Sequence, residues 1–137
     1  MIGVCRSHVD VDRVLRAPAP QVWNLLVDTK RWSEWGPSVR ATECAQRRIT
    51  IGSSGRVLTA LGFWLEFLVT EFDEGRYWAW SVSGIRATGH RLDVLRHDLC
   101  RLAFEIPLWA MPYASVCLIA LRRIAGIVES SPAIGKS

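Results

Sequence analysis

The sequence predicts an α+β domain: an antiparallel sheet of about seven strands, two short helices after the first strand, and one long helix at the C-terminal end. Three observations predict it. Residues 9–16, 63–72 and 77–82 alternate apolar and polar side chains, the period of half-buried strands. No helical crossover separates the later strands, which leaves antiparallel pairing. After Pro112 the apolar residues change spacing: Val116, Cys117, Ala120, Leu121, Ile124 and Val128 recur at three and four, the stripe of a helix long enough to cover a sheet face.

Taken in order, Val9, Val11 and Leu15 share one face of the first strand, with Asp10, Asp12 and Arg16 on the other. Residues 17–37, APAPQVWNLLVDTKRWSEWGP, then turn strand into helix. Pro18 and Pro20 forbid a continuing strand and preset a first helical turn, after which Val22, Trp23 and Leu26 fall at helical spacing. Asp28 is placed to accept the Arg31 amide as an N-cap, starting a second short helix that Gly36 and Pro37 stop. Residues 39–51 read as a second strand and residues 56–60 as a third. Gly52-Ser53-Ser54-Gly55 between them is a turn, not a phosphate loop, because no strand-loop-lysine context surrounds it.

On the fourth strand, residues 63–72, Phe63, Leu65, Phe67 and Val69 point inward, while Trp64, Glu66, Leu68 and Thr70 point out. Asp73-Glu74-Gly75 makes a hairpin to the fifth strand, residues 77–82, where Trp78, Trp80 and Val82 point together toward Phe67. Residues 83–89 read as a loop. Beyond it His90, Leu92 and Val94 share the inner face, with Arg91 and Asp93 outside. His97-Asp98 is the next turn, and Leu102 and Phe104 belong to a seventh strand that Pro107 ends. The final helix carries Arg122, Arg123 and Glu129 on its outer side, and residues 131–137 read as a flexible tail.

These residues, in this order, resemble a known family. Ala17-Pro18, Val22-Trp23, Asp28, Trp32, Trp35 and Pro37 look like the opening signature of the polyketide cyclase/dehydrase-like branch of the START-like (SRPBCC), helix-grip superfamily. Gly52 and Gly55, Val69-Thr70-Glu71-Phe72, Trp78-Ala79-Trp80, Gly89-His90-Arg91-Leu92 and the last helix continue the likeness, over roughly residues 8 to 129. The resemblance implies one helix-grip domain over residues 1–130, its curved sheet wrapped around the C-terminal helix. It also implies a cavity between sheet and helix for a small apolar or aromatic molecule, lipid or polyketide-like. Cyclases, aromatases, hydrolases, lipid carriers and plain binders all share this superfamily, so the likeness leaves the chemistry open.

Composition fits one domain: 137 residues, half of them hydrophobic, with seven tryptophans to fill a core or line a cavity. The net charge of +4 comes mainly from arginines spread singly along the chain, with only Arg47-Arg48 and Arg122-Arg123 adjacent, without the stripe or motif a nucleic-acid binder needs. Cys5, Cys44, Cys100 and Cys117 form no CxxC pair and have no short-spaced histidine, so neither a metal site nor a cofactor is expected. Reduced thiols and the absence of a secretory pattern in MIGVCRSHVD point to a soluble, cytoplasmic protein. The longest uncharged run, residues 106–121, is too short for a membrane span and contains Pro107 and Pro112. A homodimer is compatible with the sequence.

For chemistry, His90 facing an apolar cavity could donate to a carbonyl or exchange a proton near neutrality, or could be a satisfied polar group at a strand end. Tyr113 could donate its hydroxyl at the cavity mouth or merely pack at the helix start; Glu66 faces out by parity. Trp35, Phe67, Trp78 and Trp80 could form an aromatic wall, joined by His90, Leu92, Phe104, Tyr113 and Cys117; the alternative is a plain filled core. Trp23 and Trp32 read as structural. No Ser/His/Asp order, paired carboxylate or nucleotide fingerprint is present. Ligand binding is thus the leading reading, a cyclase, aromatase or dehydrase using His90 the alternative, and a collapsed cavity with a working surface the third.

Overall fold

The computed structural model describes residues 2–4 and 8–129. Its strands are β1 (Ile2–Val4), β2 (His8–Leu15), β3 (Val39–Cys44), β4 (Ser54–Thr59), β5 (Trp64–Asp73), β6 (Tyr77–Val82), β7 (Ile85–Arg96) and β8 (Leu99–Pro107). The helices are α1 (Ala19–Val27), α2 (Trp32–Trp35) and α3 (Ala114–Glu129), with 3₁₀ turns at Thr29–Arg31 before α2 and Leu108–Tyr113 before α3. All pairings are antiparallel, in the order β1-β2-β8-β7-β6-β5-β4-β3. Seven of these strands are the seven that the sequence predicts; β1, too short to show an alternation, adds an eighth at the edge beside β2. The expected tail, residues 131–137, lies outside the described residues.

Pro18 precedes α1 in extended conformation and Pro20 sits in its first turn, as the fixed proline φ dictates. The cap at Asp28 differs from expectation by one residue: its side chain accepts from the Lys30 amide at 3.0 Å, while the Arg31 amide bonds the Asp28 backbone carbonyl at 2.9 Å. Both helices are pinned by indole N–H groups, Trp32 Nε1 donating to Leu26 O at 2.8 Å and Trp35 Nε1 to Leu25 O at 3.2 Å. A buried indole needs such a partner.

Two expectations about strands are corrected, and a bulge adds a feature that alternation does not show. The second strand does not run to residue 51; β3 stops at Cys44, and the chain then bonds back to the end of α1, Ile49 N to Val27 O at 3.1 Å. Arg47 and Arg48 explain the departure, since they leave the sheet to pair with Asp28 at 3.0 Å and Glu74 at 2.6 Å. The loop expected over residues 83–89 is instead a tight hairpin: Ser83 (φ 53°) and Gly84 (φ 77°) both take positive φ, the pattern of a type I′ turn, and β7 begins at once. A bulge between Val69 and Glu71 shifts the parity of β5, so Phe72 turns inward, half-buried, and packs edge-on against Trp23 at 5.8 Å.

α3 lays Cys117, Ala120, Leu121, Ile124, Ala125 and Val128 on the sheet, chiefly on β2. Full burial of Leu121 or Ile124 contributes about 1.5–3 kcal/mol each. Counted together with the 3₁₀ turn before it, this segment, Leu108–Glu129, is 22 residues long and holds an 18-residue window of mean hydropathy 1.5, enough by length and composition to cross a bilayer, though only a weak indication that it does. The uncharged run weighed in the sequence, residues 106–121, overlaps this segment and is shorter than it. In this structure the apolar stripe of α3 is the lid of the core.

Candidate functional site

An aromatic cluster fills the middle of the grip. Trp32, from α2, stacks on Trp78 (5.5 Å, 6°) and meets Phe67 and Trp80 edge-on, both at 5.3 Å. Trp78 also stacks on His90, centroids 3.9 Å apart and planes at 17°. Phe104 closes on His90 at 5.1 Å, and Trp35 on both.

Beyond this cluster, toward the end of the sheet where α3 does not reach, lies a cavity of about 580 Å³. Val57 and Thr59 of β4, Leu65 of β5, Trp80 and Val82 of β6 and Ala87 and Thr88 of β7 form its wall. The 3₁₀ turn before α3 closes it with Trp109, Ala110, Pro112 and Tyr113, and Leu61 (83 % exposed) and Trp109 (65 % exposed) stand at its mouth. Among the described residues, none that lines it is charged. A second space of about 40 Å³ lies inward, bounded by Trp35, Trp78, His90, Phe104, Val116 and Cys117. The two share Ser38, Val39, Trp80, Thr88 and Tyr113, and the Ser38 and Tyr113 hydroxyls are hydrogen-bonded to each other at this border.

The nine residues expected around a ligand are thus divided. Trp80 and Tyr113 line both spaces; Trp35, Trp78, His90, Phe104 and Cys117 line only the inner chamber; Phe67 and Leu92 line neither and belong to the core. The sequence reading missed Val57, Thr59, Thr88 and Trp109. Thr88 had a signal, the Ser83-Gly84 turn, which starts β7 early enough to put Thr88 two residues before His90 on the same face.

His90 is 3 % exposed and both its nitrogens are engaged. Nδ1 lies 3.1 Å from the Trp78 carbonyl, which can only accept, so Nδ1 carries the proton and Nε2 accepts from Thr88 Oγ1 at 3.3 Å. Thr88 in turn accepts from Trp80 Nε1 at 3.1 Å. Desolvation pushes the His90 pKa down to about 4, against the pull of the Trp78 carbonyl, so the ring is neutral at pH 7. Desolvation also raises the Tyr113 hydroxyl and pushes the Cys117 thiol up to about 12, leaving no thiolate for nucleophilic chemistry. On the opposite face of the sheet, His8, Asp10 and Glu105 come close enough for a metal. Arg91 already pairs with that cluster, 2.6 Å from Glu105 and 3.3 Å from Asp10, so a cation would have to compete with a guanidinium.

An antiparallel sheet gripping a C-terminal helix, with an apolar cavity at its open end, defines a START-like helix-grip domain. The chain belongs to the family described as polyketide cyclase / dehydrase and lipid transport, whose model matches residues 6–97. Among solved structures, a START superfamily protein from Mycobacterium smegmatis is similar with a TM-score of 0.74 at 12% identity, covering 90% of this chain and 98% of that one. XoxI from Bacillus cereus gives 0.72 at 10% identity, over 91% and 97%. A protein from Thermobifida fusca, solved by NMR, gives 0.62 at 20% identity, over 88% and 93%. At these identities the likeness concerns the fold. No curated protein matches the sequence.

Proposed function

We propose that the protein binds a small apolar or aromatic molecule, lipid or polyketide-like, in the outer cavity between the sheet and the 3₁₀ turn that leads into α3. The observation that carries this reading is the cavity itself: about 580 Å³ within reach of solvent, walled by apolar side chains and without a charge. Ligand sites have this size and character, whereas a domain working through its surface alone would gain stability by filling the space.

Catalysis by His90, the enzymatic alternative, needs a nitrogen free to exchange a proton with substrate. Both are bonded within the fold and the ring borders only the inner chamber, which favours binding or carriage over turnover. The free thiols of Cys44, Cys100 and Cys117 fit the reducing cytoplasm in which we place the protein.

Native mass spectrometry of the purified protein tests this reading. An added neutral mass that is lost on denaturation, or uptake of an added apolar aromatic compound, is the expected result. Protein that neither retains nor takes up any such compound would overturn it.

A further inference from the structure

The inner chamber contains an unexplained group. Trp78 is 1 % exposed, and its Nε1–H has no hydrogen-bond partner among the described residues. A buried N–H left without an acceptor is costly, and native proteins rarely tolerate one. Every other indole in the cluster has its partner: Trp32 and Trp35 bond carbonyls of α1, and Trp80 bonds Thr88. Trp78 stacks with both Trp32 and His90 and is itself a lining residue of the chamber, and Nε1 is the only polar atom of its ring. The chamber offers about 40 Å³, room for an oxygen and little more.

A second donor stands at the border with the outer cavity. Ser38 and Tyr113 have a proton each, and their mutual hydrogen bond uses one of the two. The other remains for an acceptor arriving from the cavity. Among the described residues no cation lines either space: the ionisable groups around them are Tyr113, Cys117 and the buried, neutral His90. An anion here would lose its hydration without gaining a counter-charge.

We propose that the inner chamber seats the acceptor oxygen, carbonyl or hydroxyl, of an uncharged ligand whose apolar body fills the outer cavity, and that Trp78 Nε1–H is the donor that fixes it. This rests on the ligand-binding reading above and narrows it: Trp78 selects for a neutral oxygenated molecule over both the bare hydrocarbon and the acid. Tyr113 and Ser38 guard the passage and add the second hydrogen bond.

Three probes of one shape separate these classes: acetonaphthone, its isostere isopropenylnaphthalene, in which a methylene replaces the carbonyl oxygen, and naphthoate, all substituted at the same ring position. Calorimetric titration is expected to give about fivefold tighter binding of the ketone than of the alkene, the gain of one buried hydrogen bond. Naphthoate at neutral pH is expected to bind at least about tenfold more weakly than the ketone. In Trp78→Phe, the ketone's advantage over the alkene should fall below about twofold. Should that variant fold poorly, nitrogen-labelled parent protein gives an independent readout, since the Trp78 indole N–H resonance should move on adding the ketone and stay with the alkene. Equal affinities for ketone and alkene, tighter binding of naphthoate, or a Trp78 resonance indifferent to the ketone, as a trapped water would make it, overturns the proposal while leaving the cavity as a ligand site. Failure of all three probes to bind overturns the ligand-binding reading, and this one with it.

Discussion

Trp78 and His90 face each other across neighbouring strands, register partners on β6 and β7, with rings stacked 3.9 Å apart and a hydrogen bond from His90 Nδ1 to the Trp78 carbonyl. The pair ties backbone to side chain at the centre of the sheet. It also buries a titratable ring where its charged form is disfavoured, and the protein's response to acid follows from that.

His90 should titrate near pH 4 by NMR in the folded protein. The unfolded chain protonates this residue near 6.5. Between those two values the unfolded state holds more protons, so stability falls as pH drops through the window, by roughly 3 kcal/mol from this residue. Urea unfolding at neutral pH and at pH about 4 measures it. His90→Phe should cost about 1–3 kcal/mol at neutral pH, because Thr88 loses its acceptor and the Trp78 carbonyl its donor. Its deficit relative to the parent should then shrink toward pH 4; a constant deficit would mean that the histidine is not buried neutral.

Trp80 lines the cavity and also packs on Trp32 and Phe67. Trp80→Ala should therefore both lower the melting temperature and enlarge the pocket, improving the fit of bulkier ligands. Trp32→Ala removes the ring that holds the cluster together and should cost about 3–5 kcal/mol. Titration of each variant with a fluorescent apolar dye, beside thermal melts, separates the two roles. Identical dye binding by Trp80→Ala and the parent would remove Trp80 from the site.

Ala87 is half-buried on β7 with its methyl at the cavity wall. Ala87→Trp should place an indole in the free volume, reduce binding of an apolar aromatic probe by more than about tenfold, and leave the melting temperature within a few degrees. Unchanged affinity would put the ligand elsewhere.

Gly55 allows β3, β4 and β5 to approach closely, because a Cβ there would collide with the Glu43 carbonyl oxygen and crowd the Phe67 ring. Gly55→Ala should destabilise the domain by roughly 1–3 kcal/mol, as overpacking does. Chemical denaturation provides the measurement, and a neutral outcome would show that the edge of the sheet yields easily.

Much of this architecture was legible along the chain, because the signals are local. Alternation marked β2, β5 and β6, the lengthened period after Pro112 marked α3, and the proline pair with Asp28 marked the short helices. The order of tryptophans, glycines and the Gly89-His90 pair carried the family resemblance, and the match over residues 6–97 agrees with it. His90 was placed on the inner face by parity with Leu92 and Val94; His90 and Leu92 are buried, but Val94, at the bulged end of β7, is 67 % exposed.

Tertiary packing decided where the empty space lies. Parity could say that Trp78, Trp80 and Phe67 face inward, but not that Trp32 would arrive from α2 and close the space above Trp78. Nor could it foresee the bulge that turns Phe72 inward. Whether an inward ring lines a cavity or fills a core depends on what descends on it from elements far away in sequence. Over the middle of the sheet, α2 and α3 supply that cover; over the ends of β4 to β7 only the short 3₁₀ turn with Trp109 and Tyr113 does, and it leaves a cavity beneath. A ring's own neighbours in the chain carry no record of that contact, because packing energy depends on distance in space.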